Sequence, residues 1–211
     1  MIYTFMYRSN AEILYLSLNQ DPFYLELEGS VSDSPTVCQE ALLRYFDYSM
    51  REGQEYGELW IPEGEVYGAS VWSKPMAATL SSQAFLEKKR FIRQNLGSTS
   101  LRKYTEMVGF MSEKAERVVP EGSWYLSIVG VAPQLQGQGL GSTLVRPVLD
   151  KADALGVASY LETFTRKNLG FYQRLGYREA SSSVEPGTDS EYWIMVRKPP
   201  SSTRKYKDGT G

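Results

Sequence analysis

Residues 128–141 read Ile-Val-Gly-Val-Ala-Pro-Gln-Leu-Gln-Gly-Gln-Gly-Leu-Gly, an apolar run followed by a short turn and a glycine-rich segment. The glycines at positions 137, 139 and 141 lack the Cβ atom that keeps a ligand away from the backbone. Apolar residues then recur with helical spacing from Leu140 to Leu155. The positive end of a helix dipole would therefore lie behind accessible amide groups, which predicts a site for a phosphate-bearing ligand.

Two common phosphate motifs fit this segment poorly. The dinucleotide fingerprint G-x-G-x-x-G needs its third glycine at position 142, which is Ser142. A Walker loop ends in Gly-Lys-Ser/Thr, but the first lysine after these glycines is Lys151. The sequence therefore disfavours both a dinucleotide-binding fold and a P-loop.

A different pair of motifs fits. Residues 136–141, Gln-Gly-Gln-Gly-Leu-Gly, match the Q/R-x-x-G-x-G/A signature of the GNAT N-acetyltransferase superfamily, and residues 131–133, Val-Ala-Pro, stand where that family carries V-x-P. Residues 168–177, Asn-Leu-Gly-Phe-Tyr-Gln-Arg-Leu-Gly-Tyr, resemble its second signature, N-x-x-F-Y-x-x-L-G-F/Y. Residues 123–198 are most similar to the members that acetylate puromycin. Before residue 123 the similarity is limited to residues 21–22 and 69–75.

The resemblance implies that acetyl-CoA is the acetyl donor. Backbone N–H groups of residues 138–142 would bind its pyrophosphate, and the edge of the strand at residues 129–131 would pair with its pantetheine arm. The residues implied to contact this cofactor are Val129, Val131, Gln136, Gly137, Gln138, Gly139, Leu140, Gly141, Ser142 and Asn168. Asn168 has a second interpretation as the N-cap of a short helix.

Two residues are predicted to be catalytic. Tyr172 matches the family tyrosine that lies beside the cofactor sulfur, and the resemblance implies a general acid; the alternative is an aromatic packing residue. Glu162 is a polar residue at the end of an apolar strand, which suggests that it faces an active cleft as a general base or belongs to a buried hydrogen-bond network. Tyr125, Glu121 or a chain of water molecules are alternative routes for the proton.

The chain contains no histidine, which excludes the usual Ser-His-Asp and Cys-His hydrolases and histidine-based metal centres. Its carboxylates show no clustered metal-ligand spacing, so no metal site is predicted. Acid–base chemistry is left to tyrosine, carboxylates or water. Cys38 is the only cysteine and is expected to be a buried apolar residue on a helix.

Composition predicts one domain. A chain of 211 residues with 42% apolar residues can build a single core, and its net charge of -2 gives no general attraction to nucleic acid or membranes. We expect an acetyltransferase domain over residues 1–197 and a disordered tail over residues 198–211. With no transmembrane run or signal peptide, a cytoplasmic monomer or homodimer is expected.

The element pattern predicts an α+β fold, which the resemblance implies to be the GNAT type: a mixed, mostly antiparallel sheet flanked by helices. Helices are predicted at residues 10–18, 36–50, 82–94, 98–118, 140–155 and 168–174. Strands are predicted at residues 2–7, 56–61, 66–72, 123–131 and 157–164, followed by a hairpin of residues 177–182 with 192–197.

The predicted function is direct transfer of an acetyl group from acetyl-CoA to a primary amine of a small molecule. Two alternatives remain open at this point. A protein or peptide N-terminal acetyltransferase would need an open groove across the sheet. A noncatalytic sensor of CoA would need the cofactor site but not Tyr172.

Overall fold

A computed structural model describes residues 3–200 of the chain. Its helices are α1 (Arg8–Leu18), α2 (Pro22–Glu28), α3 (Pro35–Tyr56), α4 (Ala78–Asn95), α5 (Ser98–Glu116), α6 (Leu140–Ala154) and α7 (Leu169–Arg174). Its strands are β1 (Gly57–Trp60), β2 (Gly68–Ser73), β3 (Trp124–Val131), β4 (Ser159–Thr163), β5 (Arg178–Glu185) and β6 (Ser190–Arg197). The strands form one sheet in the order β1-β2-β3-β4-β6-β5. Only β3 and β4 pair in parallel, so the predicted mixed, mostly antiparallel sheet is confirmed.

The two faces of the sheet are covered by different helices. Helices α1 to α5 build one hydrophobic cluster with side chains such as Val71 and Ile128. Helices α6 and α7 build another with Trp72 and Leu126. Neighbouring residues of a strand point to opposite faces, which is why Val71 and Trp72 belong to different clusters.

A β-bulge in β3 changes which face its side chains meet. Val71 pairs with Ile128 and Trp72 with Leu126, so Ser127 has no partner on β2. The extra residue reverses the alternation, and Leu126 and Ile128 consequently pack on opposite faces. The register of β3 with β4 extends only from Trp124 to Leu126. Beyond the bulge, β3 therefore runs on to Val131 without pairing to β4.

The structure differs from the predicted elements at two places. Residues 3–7 are not a strand, because the amides of Met6 and Tyr7 donate to the Asp47 carboxylate at 2.8 and 2.6 Å rather than to a neighbouring strand. Helix α2 was not predicted, although Asp21 is its N-cap and Pro22 its first residue, two residue types that favour a helix start.

The other predicted helices and strands are confirmed, with ends that shift by a few residues. Cys38 is buried on α3, as expected, and its thiol donates to the Ser32 carbonyl oxygen. Of the predicted tail, residues 201–211 lie outside the described part of the chain. Within residues 3–200, no helix has the length and apolarity needed to cross a membrane.

Candidate active site

The glycine-rich loop between β3 and α6 presents a row of unpaired amides. Gly137 and Gly139 have φ angles of 79° and 83°, a region that side-chain-bearing residues rarely adopt. The N–H groups of residues 137–141 donate to no acceptor within residues 3–200. The range predicted from the resemblance, 138–142, needs correction at its end, because the Ser142 amide donates to the Gly139 carbonyl oxygen at 3.0 Å. These amides precede or open α6, where the helix dipole favours an anion. The loop thus has the geometry of a phosphate cradle.

The space around the loop fits a bulky diphosphate. No atom lies within 4 Å of the position that a Cβ would take at Gly137 or Gly139, so the approach to the backbone is open. A Cβ at Gly141 would instead come to 3.1 Å from the ring of Phe171 on α7. The side chain of Gln136 donates to the Val131 carbonyl oxygen at 3.0 Å and so ties the loop to the end of β3.

The unpaired part of β3 leads from this loop into the protein. Val129 lies on this segment and lines a large cavity; Val131 ends it beside the loop. Asn168 lines the same cavity immediately before α7. Its side chain makes no capping hydrogen bond, so the N-cap interpretation does not account for it. The side-chain amide of Asn168 is available to a ligand, whereas its backbone N–H donates to the Thr165 carbonyl oxygen at 2.9 Å.

The cavity has a volume of about 430 Å³ and lies between the sheet and helices α2 to α5. It brings together four residues predicted from sequence to belong to the site: Val129, Glu162, Asn168 and Tyr172. The loop residues 136–142 and Val131 lie outside its lining. The site therefore consists of an external anion cradle and an internal chamber joined along β3.

Tyr172 is buried on α7, and its hydroxyl forms no hydrogen bond with any residue in the described range 3–200. Burial raises the pKa of this phenol well above its ordinary value, and the nearby negative charge of Asp21 raises it further. The phenol is consequently held protonated at neutral pH. A protonated hydroxyl facing a cavity can donate a hydrogen bond to a ligand.

Glu162 lies at the end of β4, close to two tyrosines. Tyr192 on β6 donates a hydrogen bond to its carboxylate, and the phenol of Tyr125 on β3 lies near it. Burial raises the pKa of Glu162, while the Tyr192 hydrogen bond and the nearby Tyr125 phenol oppose this shift by stabilising the charged form. Both interpretations made from sequence apply, because Glu162 faces the cavity and belongs to a buried hydrogen-bond network. Of the alternative bases, Tyr125 lines the cavity, whereas Glu121 is exposed in a turn outside it.

Asp21 is a cavity residue that the sequence reasoning missed. Its carboxylate caps α2 by accepting from the amide of Phe23 at 3.0 Å. Burial raises its pKa from 3.8 to about 6, and the Phe23 hydrogen bond opposes that shift. Its charge is close enough to influence Tyr172. An aspartate before a proline is explained by helix capping alone, so its position carried no functional signal.

A buried ion pair at another part of the cavity was also missed. Lys88 of α4 donates to Glu52 at 2.5 Å and to the Ser49 hydroxyl at 2.8 Å, both on α3. Burial lowers the pKa of Lys88, and the Glu52 carboxylate opposes the shift. The helical periodicity placed α4 against the core but could not show that one lysine points inward. Within residues 3–200, no three carboxylate or thiol residues are grouped as a metal site would require.

The comparisons with known proteins agree with this geometry. The Acetyltransferase (GNAT) family matches residues 55–177, a range that includes both signatures and more than half of the chain. An uncharacterized N-acetyltransferase of Schizosaccharomyces pombe is 26% identical over 113 residues, which are 51% of this chain and 46% of the relative. The match thus spans about half of that relative's length.

Solved structures share the fold. A Corynebacterium glutamicum protein described as histone acetyltransferase HPA2 and related acetyltransferase has a TM-score of 0.62 at 20% identity, covering 92% of this chain and 91% of its own. The Drosophila melanogaster polyamine N-acetyltransferase, described as forming N-acetylagmatine, has a TM-score of 0.55 at 18% identity, covering 90% and 95%. Together with the family match, the loop and cavity identify the chain as a member of the GNAT acetyltransferase family.

Proposed function

We propose that this protein moves an acetyl group from acetyl-CoA to a primary amine of a small molecule by direct transfer. The observation that carries the proposal is the arrangement of the cavity. An unpaired phenol, Tyr172, faces the same chamber as the free part of β3 and the carboxylates of Asp21 and Glu162. A direct transfer needs a binding site for the acetyl donor, an acid for the leaving sulfur and a base that takes the proton of the amine.

The donor side uses the cradle and β3. Amides of residues 137–141 bind the pyrophosphate, and the segment from Val129 to Val131 pairs with the pantetheine arm as an added strand does. Gln136 supports the phosphates by holding the loop closed on Val131. Leu140, Gly141 and Ser142 place the start of α6 against the diphosphate. Asn168 contacts the arm from the α7 side.

The thioester supplies an acetyl group whose bond to sulfur breaks as the bond from the amine nitrogen to the acetyl carbon forms. Tyr172 donates its proton to the leaving sulfur and later regains one from solvent. Because burial raises the pKa of Tyr172, its main contribution is a hydrogen bond to the developing negative charge. The nitrogen lone pair makes the new bond, so the amine must lose a proton before or during attack.

The proton leaves toward the acidic part of the cavity. Glu162 is the base predicted from sequence, but its carboxylate already accepts a hydrogen bond from the Tyr192 phenol. The Asp21 carboxylate accepts one hydrogen bond within residues 3–200, from the Phe23 amide, and its pKa of about 6 suits proton transfer near neutrality. We therefore propose that Asp21 and Glu162 share this task, with Asp21 the more direct acceptor.

The cavity favours a small acceptor over a peptide. Helices α4 and α5 contribute Lys88 and Tyr104 to its wall, so helices occupy part of the space above the sheet that a bound peptide chain would need. The unpaired hydroxyl of Tyr172 favours an enzyme over a noncatalytic sensor of CoA. Four expectations from the sequence stay predictions. They are the domain limits 1–197, the cytoplasmic location, the monomeric or homodimeric state and the similarity to puromycin-acetylating members.

The experiment is a thiol-release assay with purified full-length protein, acetyl-CoA and a panel of primary amines, with mass spectrometry of the products. The proposal expects amine-dependent release of CoA and one acetyl group added to the amine nitrogen. CoA binding without transfer to any amine would favour the sensor. Acetylation of peptide N-termini in preference to small amines would favour the second alternative.

A further inference from the structure

The acceptor cavity has aromatic side chains on its sheet wall and on its helix wall. On the sheet, Tyr125 and Tyr160 are register partners, and their rings stack with centroids 4.6 Å apart. On the helices, Phe23 of α2 lies 6.2 Å from Tyr104 of α5, and 6.5 Å from Phe164 at the end of β4. All five line the cavity. A ligand ring gains about two- to twelvefold in affinity from each well-placed aromatic partner, so this lining favours a planar acceptor.

The charges on the lining favour a cation. Three carboxylates face the cavity, those of Asp21, Glu52 and Glu162. Within residues 3–200, Lys88 is the one basic residue of the lining. An ammonium ion is attracted both by the excess of carboxylates and by the faces of the tyrosine rings. An acceptor that carries its own carboxylate would meet this same negative charge unfavourably.

The charges are not spread evenly along the cavity. Asp21 lies near Tyr172, whereas Lys88 lies with Glu52 between α3 and α4. Tyr24 lies near Asp21 and Tyr45 near Glu52, and the rings of these two tyrosines are 6.0 Å apart. Lys88 is covered by the ring of Tyr45 at 4.4 Å, and its partner carboxylate is already used. A second ammonium on the acceptor would therefore approach a like charge at the end away from Tyr172.

We propose that the acceptor is a primary amine joined by a short chain to one aromatic ring, without a carboxylate and without a second ammonium. This inference rests on the proposed function, because it describes the acceptor of the same transfer. The amine lies at the Asp21 end beside Tyr172, and the ring lies between the tyrosine stack and Phe164. Lys88 is the residue that rejects long diamines.

The test is a set of matched amines assayed with the full chain at saturating acetyl-CoA. 2-Phenylethylamine is compared with 2-cyclohexylethylamine, which replaces the planar ring by a saturated one, and with phenylalanine, which adds a carboxylate. Hexylamine is compared with 1,6-diaminohexane, which adds a distal ammonium. We expect kcat/KM to fall by about tenfold on loss of aromaticity. The value of kcat/KM should fall at least about tenfold when a carboxylate is added, as in phenylalanine, or when a distal ammonium is added, as in 1,6-diaminohexane.

A charge variant separates the role of Lys88 from a general size effect. Lys88→Gln should raise kcat/KM for 1,6-diaminohexane relative to hexylamine by about tenfold, since the like charge is gone and Glu52 is free to bind the second ammonium. Arg90→Gln is the matched control, because Arg90 is an exposed cation on the same helix outside the cavity. For Arg90→Gln, the ratio of kcat/KM for 1,6-diaminohexane to that for hexylamine should equal the wild-type ratio.

The outcomes distinguish this inference from the function on which it rests. If hexylamine, 1,6-diaminohexane and 2-phenylethylamine are acetylated equally well, the inference is overturned while the acetyltransferase function stands. If Lys88→Gln does not fold, equal use of the diamine by the wild type still overturns the role of Lys88. If CoA binds but none of the amines is acetylated, the proposed function and the inference both fail.

Discussion

The hydroxyl of Tyr192 on β6 donates a hydrogen bond to the carboxylate of Glu162 on β4, and so supports a buried acid from behind the acceptor cavity. The hydrogen bond favours the charged carboxylate, which burial disfavours. Tyr192 is itself almost fully buried and is not part of the cavity lining. It therefore acts on the site through Glu162.

Tyr192→Phe is predicted to raise the pKa of Glu162 further, because the charged form loses a donor. The acid limb of kcat/KM against pH should then move to higher pH, with activity near pH 6 falling more than activity at pH 8. Tyr160→Phe is the control, because that phenol lines the cavity but forms no hydrogen bond to Glu162 within residues 3–200. An unchanged profile for Tyr192→Phe would exclude Glu162 from the rate-determining protonation.

Tyr172→Phe should lower turnover on the order of a hundredfold, because it removes the proton donor that faces the leaving sulfur. Binding of CoA should change less than about twofold, since the cradle amides do most of the binding. Steady-state kinetics and calorimetric titration of CoA measure the two quantities separately. Equal losses in turnover and affinity would assign Tyr172 to binding rather than catalysis.

Asp21→Asn should change how stability depends on pH. Because the pKa of Asp21 is about 6 in the folded protein against an ordinary value of 3.8, the folded state binds this proton more tightly than the unfolded chain. The stabilisation is complete below about pH 4 and is lost as the pH rises through about 6. The variant keeps an acceptor for the Phe23 amide but has no charge to bury.

The free energy of unfolding of Asp21→Asn minus that of the wild type should thus increase from pH 4 to pH 7, by on the order of 2–3 kcal/mol. Urea denaturation at the two pH values measures it, and Asp33→Asn, an exposed aspartate, serves as the control. The same difference at both pH values would show that Asp21 is not titrating in a buried site. Turnover of Asp21→Asn should also lose its dependence on pH near 6.

Gly139→Ala is predicted to weaken CoA binding by about tenfold, because its φ of 83° strains any side chain and the new methyl group stands in the open cradle. Gly156→Ala is the matched control. Gly156 also has a positive φ, 68°, but it follows the other end of α6. Both variants should lose similar stability, whereas only Gly139→Ala should lose affinity. Equal CoA affinity in the two variants would remove the loop from the binding site.

The glycine-rich loop and the helix behind it were largely predictable from sequence, because their residues are close in the chain. Gly137, Gly139 and the start of α6 form one continuous segment, so the local pattern gives both the backbone conformation and the dipole behind it. The pattern of helices and strands also predicted the order of most elements. The β-bulge at Ser127 could not be predicted from the sequence pattern, because it depends on how β2 and β3 pair.

The cavity that we propose for the acceptor was much less predictable, because its lining residues come from elements that are distant in the sequence. Asp21 reaches Tyr172 only when α2 packs near α7, and Lys88 reaches Glu52 only when α4 packs on α3. A buried lysine and a capping aspartate look like surface residues in a linear pattern. Phe23, Tyr24, Tyr45 and Trp72 also line the cavity, and only tertiary packing brings them together.

The central claim is that the glycine loop binds the diphosphate of coenzyme A and leaves its sulfur beside Tyr172. A crystal structure of the protein with CoA tests it most directly. The account predicts diphosphate oxygens within hydrogen-bond distance of the amides of residues 137–141, an arm paired along β3 at Val129, and the sulfur within reach of the Tyr172 hydroxyl. A cofactor bound elsewhere, or a sulfur remote from that hydroxyl, would contradict it.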